Sequence, residues 1–303
     1  MKLPHHLVVF IGPRMSAASQ VSTVARQRIE AGPFLKWAGG KGQILPQIEK
    51  YFPKSFKRYF EPFAGSAAVF FHLARQRDSF PAMLVDLNQE LINCFVVVRD
   101  RLDELVPMLR QHEQKHNETH YYKVRLVQPD SLGMIDRAAR FIYLNKTCYN
   151  GLYRVNSHGK FNVPIGSYVN PKIFDGENLR AVSTTLSDVS LVSGHFSVVL
   201  GSARRGDFIY FDPPYYTESS GFTGYAVAAS GKADFSAIDH MMLKNDVDEL
   251  VKRGCHVVVS NSDTRFIRRL YKGYEQHGVE ARRFINCNGS GRQPVKELVI
   301  TGR

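Results

Sequence analysis

The chain has 303 residues, 44% hydrophobic and 22% charged, long enough to bury a large core and too apolar for a disordered tail or a fibre. Its 40 Lys and Arg outnumber its 28 Asp and Glu, a formal charge of +12, which points to a polyanionic partner, nucleic acid first and an anionic membrane surface second. Cys94, Cys148, Cys255 and Cys287 lie far apart with no C-x-x-C pair, which argues against a zinc cluster or disulfide framework and fits a reducing cytoplasm.

Residues 1–32 read as an N-terminal extension with no functional motif and with helical spacing over 19–31. Its apolar run "LVVFIG" is far shorter than the roughly 18–20 residues of a membrane span. As a signal peptide it has a weak basic start and, in "SAAS", a poor cleavage site. "FLKWAGGKGQ" (34–43) is glycine-rich but is not a phosphate-binding P-loop. That pattern needs Gly where Leu35 stands and Ser or Thr where Gly42 stands. The loop still offers the only tryptophan, Trp37, as a stacking face, and Lys41 as a charge for a carboxylate.

Helical spacing follows over 44–52, then a short strand at 58–63, the small-residue turn "AGS" and an apolar helix over 67–77. A buried strand is predicted at 82–87 and one continuous helix over 88–112. Further strands are expected at 207–212, 256–262 and 295–302, with a helix over 237–254 between the first two. Strands alternating with amphipathic helices predict an α/β fold with a mostly parallel sheet. Between about 100 and 185 the pattern differs. From Arg137 to Lys172 the chain has Arg137, Arg140, Lys146, Arg154, Lys160 and Lys172 but no acidic residue, and it is rich in Asn, Gly and Tyr. A smaller, hairpin-bearing domain is expected there.

In α/β sheets ligands sit at the carboxyl ends of strands, where glycine lets the backbone approach closely. "EPFAG" therefore places Glu61, Phe63 and Gly65 around a pocket. "LVDLN" puts Asp86 at the next strand end, where a carboxylate commonly accepts ribose hydroxyls. The sharpest element is "FDPPYY". Methylating an exocyclic amine of a nucleobase requires a delocalised lone pair to become nucleophilic. Asp212, an acceptor-only side chain, and a carbonyl of the stiff Pro213-Pro214 pair can take the two amine hydrogens. Tyr215 supplies a ring on which a base stacks, and a duplex base reaches such a site only by flipping out.

Together "PFLKWAGGK", "EPFAGSAAVFF", "LVDLN", "RFIYLNKTCYNGLYRVNSHGKFNVPIG", "FDPPYY" and "SNSDTRFIRRLY" resemble the Dam-type DNA adenine methyltransferase family, in its order and over nearly all the chain after residue 32. The resemblance implies a Rossmann-like methyltransferase sheet, built from residues 33–98 and 186–303. Residues 99–185 would form an inserted, mainly helical and hairpin-bearing DNA-recognition domain. It implies S-adenosylmethionine as methyl donor, no metal, and adenine in double-stranded DNA as acceptor, within GATC for the nearer matches. Trp37 and Lys41 would contact the cofactor, Asp86 its ribose, and Asp212 would bridge cofactor and target base. Tyr149, Asn150, Leu152, Arg154 and Pro164 fall where the family presents a hairpin to DNA. Arg140, Asn156, Lys160 and Asn162 fall at phosphate or structural positions. One departure is Ala67, where relatives often carry a second glycine; alanine is tolerated there if the backbone is helical.

A monomer acting in the cytoplasm is expected, with a restriction endonuclease as a candidate partner and no membrane association. Cytosine carbon-5 chemistry is excluded because no Pro-Cys dipeptide occurs. The remaining alternatives are an RNA adenine methyltransferase, which leaves the central segment unexplained, and a non-catalytic DNA-binding regulator, which leaves "DPPY", "WAGGK" and Asp86 unexplained.

Overall fold

The computed structural model describes residues 9–12, 30–77, 79–218, 235–281 and 295–303. The helix expected over 19–31 lies almost wholly outside these residues, and Cys287 does so entirely. The strands are β1 (Val9–Ile11), β2 (Tyr59–Glu61), β3 (Ala82–Asp86), β4 (Val189–Ser193), β5 (Phe208–Phe211), β6 (His256–Ser262), β7 (Glu275–Ala281) and β8 (Val295–Gly302). They form one sheet in the order β1-β4-β3-β2-β5-β6-β8-β7. The five strands from β4 to β6 are parallel, while β1 closes one edge and β8-β7 the other in antiparallel fashion. Strand order runs outwards in both directions from the β2-β5 pair. In a doubly wound sheet that reversal opens a crevice at the carboxyl ends of the two strands.

The helices are α1 (Leu45–Ile48), α2 (Ala68–Gln76), α3 (Gln89–Asp100), α4 (Leu102–Gln114), α5 (Glu118–Leu126), α6 (Met134–Thr147), α7 (Gly176–Thr185), α8 (Val199–Ser202), α9 (Ala237–Lys252) and α10 (Arg265–Leu270). The "FIYF" of β5 is buried throughout. Phe208 and Tyr210 join the core on one face of the sheet, Ile209 and Phe211 the core on the other. A strand that alternates between two apolar layers reads as a continuous hydrophobic run. Starts of helices are set by local chemistry. The Asn88 side chain accepts from the backbone of Glu90 and Leu91 at the head of α3, and Ser236 with Asp239 forms a capping box on α9.

Several expectations need correction. The helix read as continuous over 88–112 breaks at Arg101 (φ −133°, ψ 31°) into α3 and α4. Arg99 is buried there, and its guanidinium donates to the carbonyl of Val189 at 2.7 Å and to the Asp100 carboxylate. That anchor ends α3 against the sheet, with no glycine or proline to mark the place in the sequence. The segment 44–52 contains a single α-helical turn flanked by 3-10 turns. Residues 9–11, read as part of a featureless extension, pair with β4. Ala67 is not helical: its φ of 54° and ψ of 37° are left-handed, the conformation that glycine adopts without strain and alanine at about 1–2 kcal/mol.

Between α3 and β4 the chain builds a smaller core of its own around Tyr121, Val124, Tyr143, Leu144, Phe161 and Ile173. α6 belongs to both cores: Ala138, Phe141 and Ile142 face the main one, Tyr143 and Leu144 the smaller. The hairpin read in the central segment is minimal. It consists of two isolated antiparallel bridges, Cys148 with Ile165 and Val155 with Phe161, closed by a turn in which the Asn156 side chain accepts from the backbone of His158 and Lys160.

Asn145, near the end of α6, joins this segment to the glycine loop. Its carbonyl accepts from the Lys36 amide at 2.8 Å, and its amide donates to the carbonyls of Lys36 at 2.7 Å and Gly151 at 3.1 Å. Asn145 itself is buried, as is its bond to Gly151, and an unsatisfied group there is costly. Asn145→Ala should therefore lower the unfolding free energy, measured by urea titration, by about 2–4 kcal/mol; a loss under about 0.5 kcal/mol would show that the bridge carries no stability.

Candidate active site

The crevice between β2 and β5 gathers most of the residues singled out in the sequence. Glu61 ends β2 and is buried. One carboxyl oxygen accepts from the Phe70 amide at 3.1 Å and the Tyr59 hydroxyl at 2.9 Å. Burial pushes its carboxyl up to about 8, against the lowering effect of those two bonds, so it is largely a neutral acid near pH 7.

Gly65 follows with φ 49°, and a Cβ there would lie 2.7 Å from the Trp37 ring. This is the one position in the turn where both the backbone angle and the close approach demand glycine. Trp37 itself lies nearly parallel to Phe141 and Tyr153, with ring centroids 6.4 and 6.2 Å away. The indole thus both packs on the core and edges the crevice.

Asp86 ends β3. Its two carboxylate oxygens accept from the amides of Gly65 at 3.0 Å and Asn88 at 2.9 Å, stapling the turn after β2 to the start of α3. Each oxygen keeps a lone pair for a further donor. Burial raises its pKa, and those amides oppose the rise. Phe63 points to the other side of the crevice and stacks on Phe196 with centroids 5.2 Å apart.

Asp212 directly follows β5. One carboxylate oxygen meets the Lys41 ammonium at 2.7 Å, and Lys41 also donates to the Gly39 carbonyl at 2.8 Å. The other oxygen, Oδ1, is buried and has no hydrogen-bond partner. A buried acceptor without a donor is rare in a folded protein and marks a place where a ligand donor belongs. Burial pushes the Asp212 carboxyl up to about 6, with Lys41 holding it down.

The loop after Asp212 is held from β6 and β8. Pro213 is buried, and Pro214 beside it is half-buried. The Tyr215 hydroxyl donates to Glu297 at 2.7 Å, and its ring lies 4.9 Å from the Lys41 ammonium. The Tyr216 amide donates to the Asn261 side chain at 3.2 Å, and Ser262 donates to the Tyr216 carbonyl at 2.6 Å. Glu297, Asn261 and Asn145 are working residues that reading the sequence did not single out. "SNS" at the end of β6 was the available signal for Asn261. Nothing local marks Glu297, because its role comes from the register of an antiparallel strand.

The central segment presents Tyr149, Asn150, Lys160 and Pro164 at the surface and Leu152, Arg154, Asn156 and Asn162 half-buried. Arg154 is braced by the Asn162 side chain at 2.7 Å. Arg140 departs from a phosphate-contact reading: it is buried, and its guanidinium donates to the carbonyls of Val124 and Arg125. Its charge is spent holding α5 against α6. Gly151 (φ 64°) lies so close to Lys36 that a Cβ would fall 2.4 Å from that side chain. The segment thus abuts the loop that carries Trp37 and Lys41.

Glu61 supplies a stability test. Folding lifts its carboxyl from 4.5 to about 8, so the folded chain keeps a proton that the unfolded chain has released. Stability should fall as pH rises across that window and level off above it. Glu61→Gln keeps an oxygen to accept both bonds and should flatten this slope in melting curves; an unchanged slope would assign it to other groups.

The D12 class N6 adenine-specific DNA methyltransferase family matches residues 37–285. The chain is 42% identical over 292 residues to the type II methyltransferase M.MjaIII of Methanocaldococcus jannaschii, covering 90% of this chain and 99% of the relative. It is 36% identical over 289 residues to the type II methyltransferase M1.LlaDCHI of Lactococcus lactis, covering 93% and 99%. It is 34% identical over 274 residues to the DNA adenine methylase of Serratia marcescens, covering 89% and 98%. With the family spanning the glycine loop, the Asp212 crevice and the central segment alike, the chain belongs to the D12 class of N6 adenine-specific DNA methyltransferases.

Proposed function

We propose that the chain transfers a methyl group from S-adenosylmethionine to the exocyclic amine of an adenine flipped out of duplex DNA, within the site GATC. The observation that carries this reading is Asp212 Oδ1, buried and without a donor at the carboxyl end of β5. An exocyclic amine brings the missing hydrogen.

The residues of the crevice fit the donor. Trp37 and Phe63 offer apolar walls, and Gly65 leaves the room that a Cβ would fill. Asp86 keeps acceptor capacity for ribose hydroxyls, and Lys41 has a third ammonium hydrogen beyond the two in use. Glu61, as a neutral acid, adds a polar floor without a second full charge beside Asp212. When bound, the donor supplies an electrophilic methyl group.

Asp212 then accepts one amine hydrogen and the carbonyl of the Pro213-Pro214 pair the other, which draws the nitrogen lone pair out of the ring and aims it. Tyr215, fixed by Glu297, gives the flipped base a face to stack on. Lys41 keeps Asp212 ionised and acceptor-only, and the amine proton leaves by way of its carboxylate. The target is reached through the central segment, where Tyr149, Asn150, Leu152, Arg154 and Pro164 contact base edges, and Asn156, Lys160 and Asn162 shape the turn and meet phosphates.

Asp212→Ala should abolish methyl transfer to adenine while leaving duplex binding in a gel-shift assay nearly unchanged; surviving transfer would remove Asp212 from this role. The transfer rate at limiting substrate, kcat/KM, should fall about tenfold per pH unit below the Asp212 value of about 6, since only the carboxylate accepts the amine hydrogen. Lys41→Met removes the cation that holds this value down and should shift the acid limb to higher pH.

Sequencing that maps methylated adenines in DNA exposed to the purified protein tests the site. Methylation outside GATC would replace that assignment while leaving the adenine chemistry intact. Arg154→Ala should broaden the map, with discrimination at one base pair falling by about 1–3 kcal/mol; an unchanged map would make Arg154 a brace for Asn162 only.

A further inference from the structure

The opposite end of the sheet has a charge pattern that the reaction does not use. Three loops meet where β2, β5 and β6 begin. The Lys57 amide donates to the Gly206 carbonyl at 2.9 Å, the Gly206 amide to Gly254 at 2.9 Å, and the Phe208 amide to Arg58 at 2.9 Å. Gly206 and Gly254 hold φ of 86° and 82°. Over the first lies the stem of Lys57, and over the second the stem of Arg205. Arg77 caps the neighbouring loop by donating to the carbonyls of Pro53 and Lys54, with its guanidinium 4.4 Å from the centre of the Phe56 ring.

Two acids close to these loops are answered within the fold, while the exposed Asp188 lies two strands from β2, at the start of β4. Asp207 is buried against Arg58 at 2.6 Å, and Glu249 pairs with Arg253 at 2.9 Å. Among the described residues, none of Lys54, Lys57, Arg77, Arg204, Arg205 and Lys252 is paired with a carboxylate. All but Arg77 are exposed. Arg77 and Arg204 donate to backbone carbonyls, which leaves Lys54, Lys57, Arg205 and Lys252 as four exposed cationic side chains without a hydrogen-bond or ion-pair partner among the described residues. Protein surfaces ordinarily intersperse both signs; four such cations held by tethered loops are the electrostatic footprint of a phosphate backbone.

These cations are far from the reaction. Gly206 and Asp212 are six residue steps apart, about 20 Å along the strand direction. A duplex that offers its base to the crevice at the carboxyl ends lies on the other side of the sheet. We infer that the amino-end face of β2, β5 and β6 binds the phosphate backbone of a second duplex segment, without reading its sequence, while the first is engaged at the active site. The enzyme can then pass directly between segments of long DNA. This rests on DNA as substrate, which family membership carries, and not on the identity of the donor or of the target site.

The test is the release of the full chain from a short labelled duplex, chased with rising concentrations of unlabelled duplex. A second face captures the competitor before the first duplex leaves. Release from the unmodified enzyme should therefore accelerate several-fold with competitor. In the Lys54→Glu, Lys57→Glu, Arg205→Glu variant release should be independent of competitor, with methyl transfer to the short duplex unchanged. Because charge reversal can disturb folding, the Lys54→Gln, Lys57→Gln, Arg205→Gln variant provides a second measure. Its competitor binding should show a log–log salt slope shallower by about three, one for each cation lost. Release that ignores competitor in the unmodified enzyme, or a competitor effect that survives in the reversal variant, overturns the inference. So does a stronger effect from single-stranded RNA or from phosphatidylserine vesicles than from duplex DNA, which would reassign the face to that partner.

Discussion

The crevice at the carboxyl ends of β2 and β5 is arranged around one ion pair, Lys41 with Asp212, 2.7 Å apart and with side chains 5% and 19% exposed. Removing two charges from water is costly, and such a pair stabilises a fold weakly at best. Its value here is in position. Lys41 belongs to a glycine loop that precedes the sheet, and Asp212 closes the central strand β5. The pair therefore holds two distant stretches of chain together across the point where strand order reverses. It also divides the two oxygens of Asp212, one satisfied and one left without a donor. Desolvation raises the carboxyl, and the ammonium limits the rise, which keeps the group an acceptor at neutral pH.

Around that pair the loops are over-determined. Asp86 staples the turn after β2, Glu297 fixes Tyr215, and Asn261 with Ser262 fixes Tyr216. Each is a short side chain on a regular element reaching into a loop, so the loops inherit the precision of the sheet. Asn145 extends the same logic to the central segment. The helix that carries it packs on both cores, and its side-chain amide ties the loop of Trp37 and Lys41 to the turn at Gly151. The central segment and the crevice are thus mechanically connected, through Asn145 and through the contacts of Trp37 with Tyr153 and of Lys36 with Gly151.

Legibility followed the range of the interaction. β2, β3, β5 and β6 were readable because buried parallel strands are continuous apolar runs ended by turn residues. β4, "VSLVS" after a serine- and threonine-rich stretch, carried no such contrast. β7, "EQHGVEA", is a polar edge strand with an internal glycine, and edges of that kind resist pattern reading because charge and glycine are how edges avoid further pairing. The break at Arg101 was invisible because its cause, the Arg99 guanidinium on the Val189 carbonyl, lies ninety residues away. Arg140 was open to two readings for the same reason. Its position in a basic stretch allowed a phosphate or a structural role, and tertiary contacts that bury it decide for the structural one.

The sequence by itself determined the chemistry: an acceptor-only carboxylate before two prolines and a tyrosine, a glycine loop with Trp and Lys, and acids at successive strand ends. Those follow from residue type and local spacing, which tertiary structure does not alter. Only the tertiary structure decided which carboxylate oxygen is left open, which acid is neutral, which arginine is spent inside the fold, and that Ala67 bears a left-handed backbone. These depend on burial and on partners distant in the chain, and a carboxyl or a guanidinium has no fixed behaviour until its solvent and its neighbours are settled.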